Sequence, residues 1–184
     1  MIVGADGWLD PVNRIESPNW DARPPGGPIE LIVVHNISLP PGCFGGGHIA
    51  RLFTNTLDPS VDPFFAQIVG MRVSAHVLID RAGTTTQFVA LTERAWHAGA
   101  SAWCGLENCN DFSVGIELEG TDFESFTDSQ YRSLNAVIDA LLAAYPIKAV
   151  AGHSDIAPGR KTDPGPFFDW RRVHVPPRVS LPAV

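Results

Sequence analysis

Cysteine is scarce in this chain: Cys43, Cys104 and Cys109 make an odd number, and no two of them form a CxxC pair. That excludes a dense disulfide framework and the zinc knots built on paired thiolates, and free thiols in a reducing compartment are expected. Basic residues are few as well. With 13 Lys and Arg against 20 Asp and Glu, the formal net charge is −7, so the surface lacks the concentrated positive charge that a phosphate backbone demands, and no nucleic-acid partner is expected. No apolar run approaches the roughly 20 residues of a bilayer span. The opening MIVGADGWLD has neither a basic start nor an apolar block of signal-peptide length, so a cytoplasmic location without a membrane partner is expected. Charged residues amount to only 18%, while hydrophobic residues reach 45%; disorder is excluded on that balance.

What is there suffices for one domain with a sizeable core, since the chain has 184 residues. Residues 1–28, dense in Pro and Gly and without any period, read as an extended arm anchored by Trp8 and Trp20; residues 29–170 form the body, and 171–184 a loosely packed tail. The β-branched run IELIVVHN fits a strand buried on both faces, with His35 at its far end. GGGHIARLFTN and PFFAQIVG read as short helices, and RVSAHVLID with TTTQFVA as a hairpin across Arg81-Ala82-Gly83. ERAWHAGASAWCGLENCN has no period and reads as an ordered surface loop. In FSVGIELEG, Phe112, Val114, Ile116 and Leu118 alternate with Ser113, Gly115, Glu117 and Glu119, the pattern of a half-buried strand. Thr127 and Gln130 make a capping box ahead of an apolar stripe from Tyr131 to Tyr145 that stops at Pro146. KAVAG is a short strand. The fold class is α/β, a single domain with a central mixed β-sheet flanked by α-helices.

The segment GHSDIAPGRKTDPGP, Gly152 to Pro166, holds His153, Lys161 and Asp163 among three Pro and three Gly. It is too polar for a core segment and too rich in Pro for a flexible linker, so its side chains are held at restricted separations. His35 and Glu117 also sit at strand ends or on an open sheet face, where ligands gather in α/β sheets. Convergence would bring two imidazoles and a carboxylate together, a donor set that suits catalytic zinc better than iron-sulfur or copper(I). Blander uses exist: Asp163 capping a turn, Lys161 as a solvated charge, Glu117 on a solvent-facing edge. Spacing does not choose between Glu117 and Glu119, although Gly115 leaves room beside the former for substrate or water. His76 and His174 read as structural, and Trp96 and His97 line or pack a pocket. A thiol nucleophile, Cys104 or Cys109 beside His97, has no motif around it, and Ser154 lacks the G-x-S-x-G elbow.

VVHNISLPPGCFGGG, RVSAH, RAWHAG, CNDFSVGIELEGTD and GHSDIAPGRKTDPGPFFDW resemble, in that order from about Trp8 to Trp170, the zinc N-acetylmuramoyl-L-alanine amidase family. That family includes phage lysozyme-type amidases and peptidoglycan recognition proteins. The resemblance implies zinc held by His35, His153 and Asp163, with Glu117 and Lys161 catalytic. It also implies substrate contacts at Asn36, Arg72 and Trp96, anhydromuropeptides as the small-molecule substrate, and a monomer working in cell-wall recycling. Ser154 stands where the family often has Cys, and Leu106 where it often has Arg, which leaves Arg72 as the better contact for a substrate carboxylate. Some relatives only bind peptidoglycan fragments; retention of all three ligand positions with Glu117 and Lys161 favours the enzyme.

Overall fold

Runs of β-branched residues build the middle of the molecule. In the computed structural model, which describes residues 1–182, six strands make the main sheet: β1 (Asn13–Arg14), β2 (Leu31–Ile37), β3 (Val77–Ile79), β4 (Thr85–Gln87), β5 (Ser113–Glu119) and β6 (Ala149–Gly152). Their spatial order is β6-β2-β5-β3-β4-β1. β2 lies parallel between β6 and β5, β3 runs parallel to β5 and antiparallel to β4, and β1 closes that edge in parallel. This is the expected mixed sheet. Four α-helices accompany it among the described residues: α1 (His48–Phe53), α2 (Pro63–Ile68), α3 (Asp128–Ala144) and the single turn α4 (His153–Ile156).

One face of the sheet packs on α3. Ile32, Val34, Val114, Ile116, Leu118 and Val150 meet Leu134, Val137, Ile138 and Leu141, all buried; each such side chain contributes on the order of 1.5–3 kcal/mol. The helix starts where the capping box predicts, with the Gln130 N–H donating to Thr127 Oγ1 at 3.1 Å and the Thr127 N–H to Gln130 Oε1 at 3.0 Å. The opposite face, with Leu31, Val33, Ala149 and Ala151, is covered by Ala98, Cys109 and Ile156. A further cluster around α1 and α2 joins Leu52, Phe53 and Phe65 to Phe88.

Several expectations change. All seven residues of β5 are buried, polar face included, because His97 packs over Ser113 and Gly115 and the loops at Gly45 and Arg81 close on Glu119. Residues 93–110 are the expected ordered loop, exposed over most of 99–108, but with more structure than expected: Glu93–Ala95 pairs with Trp20–Ala22, Ala102–Trp103 with Leu106–Glu107, and Ala98 and Cys109 are fully buried. The hairpin strands are shorter than their runs, since the Ser74 and His76 N–H groups turn to the carbonyls of Trp96 and Gly115. In the opening segment Trp20 is exposed, and Leu9, Asn19 and Arg23 tie the chain down instead. Ile156 and Ala157 in the polar Gly152–Pro166 segment are buried, so it does reach the core. In the tail, Val173 and Val179 are buried, and the backbone of Ser180 exchanges hydrogen bonds with Val150 and Lys148 along the outer edge of β6.

Candidate metal centre

Strand register brings the chemistry together. Glu117 is paired with His35 across β5 and β2, and Gly152 with Val34 across β6 and β2, so His153, the next residue, comes level with His35. The three side chains form a row at the carboxyl ends of adjacent parallel strands, the place where open α/β sheets hold ligands. Asp163 returns to this row because its carbonyl accepts the Ser154 N–H at 2.9 Å.

His35 Nδ1 lies 2.9 Å from His153 Nδ1 and 3.1 Å from Asp163 Oδ2, and His153 Nδ1 lies 3.0 Å from the same oxygen. Atoms at the corners of a triangle with sides near 3 Å can all sit about 2.0–2.1 Å from one point, the zinc–ligand bond length. The donor set also fits a cation. The Ala98 carbonyl lies 3.0 Å from His153 Nε2 and can only accept, so the proton of a neutral His153 sits on Nε2 and its Nδ1 faces the triangle as a bare lone pair. His35 and His153 are 1% and 3% exposed. Burial pushes the His35 imidazole down to about 4 against the opposing pull of Asp163, which keeps it neutral, as a ligand must be.

Glu117 is 9% exposed and its Oε2 has no hydrogen-bond partner among the described residues. Burial pushes its carboxyl well above the ordinary range; the charge of Asp163 adds to this and Lys161 opposes it. Glu119 is different: it accepts the Gly45 N–H at 2.6 Å and the Arg81 N–H at 3.2 Å, holding two loops together. The two carboxylates that spacing left equivalent thus separate by their surroundings. A cavity of about 220 Å³ is lined by the three candidate ligands and by Asn36, Trp96, Glu117 and Lys161. Asn36 Nδ2 donates to Asp122 Oδ1 at 2.7 Å, and the Trp96 indole N–H to Asp21 Oδ1 at 3.2 Å. Arg72 is exposed and only flanks the cavity, between its lining residues Met71 and Val73.

His97 is the residue that sequence reasoning left undecided. Its Nδ1 lies 2.9 Å from His35 Nε2 and its Nε2 3.2 Å from Ser113 Oγ. A Cβ at Gly115 would run into its ring, so the room that Gly115 leaves is filled by imidazole, and the opening onto Glu117 is the cavity itself. His76, fully buried, accepts the Gly115 N–H at Nδ1 and donates from Nε2 to the Glu93 carbonyl, each at 3.0 Å, a structural use as expected. Neither Cys104 nor Cys109 lines the cavity, and burial pushes the Cys109 thiol up, away from a reactive thiolate.

The chain matches the N-acetylmuramoyl-L-alanine amidase family over residues 25–166. It is 57% identical over 171 residues to the 1,6-anhydro-N-acetylmuramyl-L-alanine amidase AmpD of Escherichia coli K12, a match spanning 92% of this chain and 93% of that protein. The crystal structure of a Se-Met AmpD derivative superposes with a TM-score of 0.91 at 55% identity, covering 94% of this chain and 97% of that one. The amidase AmiD from E. coli, solved in complex with the substrate anhydro-N-acetylmuramic acid-L-Ala-D-gamma-Glu-L-Lys, gives a TM-score of 0.59 at 30% identity, covering 93% and 63% respectively.

Proposed function

The chain belongs to the N-acetylmuramoyl-L-alanine amidase family, and on that premise we propose that it is a zinc-dependent enzyme cleaving the amide between anhydro-N-acetylmuramic acid and L-alanine in peptidoglycan fragments. One observation carries the proposal: three converging ligand atoms, on His35, His153 and Asp163, share a cavity with the unpartnered carboxylate oxygen of Glu117. Zinc, when bound, supplies a Lewis acid and lowers the pKa of water toward about 7.

The chain's own residues do the rest. Glu117 Oε2, with no competing donor, takes a proton from the attacking water, and its raised proton affinity lets it hold that proton until the leaving L-alanine amine accepts it. Lys161 lines the same cavity and brings the positive charge that stabilises the oxyanion of the tetrahedral intermediate. Asn36 and Trp96 line the substrate side, the first held by Asp122 and the second by Asp21, and Arg72 stands at the rim for a substrate carboxylate. We place the enzyme in the cytoplasm as a monomer, acting on anhydromuropeptides released during cell-wall recycling; the few, unpaired cysteines support a reducing compartment.

The test is to incubate the protein with anhydromuropeptide and with intact muropeptide, with and without a chelator, and to identify products by mass. Cleavage at the lactyl–L-alanine bond that stops with chelator and returns with zinc is expected. Binding without cleavage would overturn the enzyme in favour of a recognition module.

A further inference from the structure

We propose that the dipeptide His97–Ala98 orients both histidine ligands of the metal centre, and that His97 is a positioning residue that fixes which nitrogen of His35 carries the proton. The inference rests on the metal site proposed above and goes beyond it, to residues that do not touch the ion.

Two successive residues supply the two acceptors that the ligand rings need. The Ala98 carbonyl takes the His153 Nε2–H at 3.0 Å, and His97 Nδ1 lies 2.9 Å from His35 Nε2. Metal-ligating imidazoles are oriented in this way by a partner on the far nitrogen. The dipeptide is itself held from several sides. Asn110 Oδ1 accepts both its N–H groups, at 3.2 and 2.8 Å, and Arg160 Nη2 donates to the Ala98 carbonyl at 2.7 Å. Gly115 makes room for the ring, and Ser113 Oγ meets its far nitrogen.

The proton order follows from donor and acceptor counting. His35 offers Nδ1 to the triangle shared with His153 and Asp163, so a neutral His35 must carry its proton on Nε2. His97 Nδ1 then has to accept, which puts the proton of His97 on Nε2, where it donates to Ser113 Oγ. The other tautomer of His97 would set N–H against N–H. An imidazole here aims the ligand ring without placing a second negative charge behind it.

Zinc titration of the full-length protein against a competing chromophoric chelator tests the assignment. His97→Phe, which keeps a ring but has no acceptor, should weaken zinc binding by about 10–100-fold, and His97→Gln, with a carbonyl acceptor, should recover most of the loss. Metal-free melting temperatures show whether each variant folds. Should His97→Phe fail to fold, histidine nitrogen NMR of the zinc-loaded wild type decides: His97 and His35 should both carry the proton on Nε2. His97 protonated on Nδ1, or a folded His97→Phe that binds zinc as tightly as wild type, overturns the proposal. A wild-type protein that takes up no zinc is a separate outcome, which removes the metal site and this inference with it.

Discussion

Glu117 and Glu119 point to the same face of one strand, and only their neighbours tell them apart. Glu119 is spent on two backbone N–H groups, whereas Glu117 has a free buried oxygen beside the ligand triangle. Glu117→Gln should therefore keep the metal and lose about 10²–10⁴ in turnover; Glu119→Gln should keep turnover and lose some stability. Metal content and rate, measured together on both variants, check this, and the reverse pattern would exchange their roles. His76 gives a second residue-level expectation. Burial, reinforced by the Arg23 charge, pushes it from 6.5 down to about 3. Above pH 6.5 the ring is neutral in both folded and unfolded chains and has no effect. Between pH 6.5 and 3 the unfolded chain binds a proton that the folded one refuses, so stability falls as pH falls, by up to about 1.4 kcal/mol per pH unit for one such group. Urea melts of the metal-free protein from pH 7.5 to 4.5 should show a slope of that sign, and His76→Gln should reduce it without abolishing it, since the buried His35, also depressed, adds to the same fall.

Among the elements, α3 was legible because everything that defines it is local: a capping box, an apolar stripe and a proline beyond its end. Thr127 also donates from Oγ1 to the Arg81 carbonyl at 2.9 Å, and Gln130 Nε2 to the Glu119 carbonyl at 2.8 Å, so the cap ties the helix to the turn after β3 and to the end of β5. Thr127→Ala should cost about 1–2 kcal/mol, read from chemical denaturation; a cost near zero would mean that the tie is dispensable. β5 shows the opposite case. Its alternation was real, but alternation records polarity and cannot say what covers the polar face. Over Ser113 and Gly115 the cover is His97, held by the Asn110 side chain, and at Glu119 it is the loops of Gly45 and Arg81; contacts of that kind leave no period in the sequence. The ligand positions lay between these cases: their residue types pointed to a metal, while the choice of His35, His153 and Asp163 came from resemblance, because the parallel register that aligns them is a long-range fact.

Taken whole, the molecule places the three proposed ligands on separate stretches of chain, the end of β2, the start of α4 and the loop that follows it. Anything that binds only when these meet must stabilise the fold, by about 4.1 kcal/mol at a free concentration 1,000 times the dissociation constant. Zinc should therefore raise the melting temperature, a chelator should reverse the rise, and His35→Ala should abolish the difference; equal melting with and without zinc would speak against a shared site. The sheet has one more vulnerability, at its margins. The margin formed by β1 is only two residues long, whereas along the outer edge of β6 the backbone hydrogen bonds come, among the described residues, from the strip around Ser180. A protein cut after Pro177 would bare a ribbon of unsatisfied amides and carbonyls ready to zip onto a neighbour. Light scattering of that shortened protein should report clumping that grows with concentration, so that what looks like a trailing end works as a selvedge, keeping the cloth from unravelling onto other molecules.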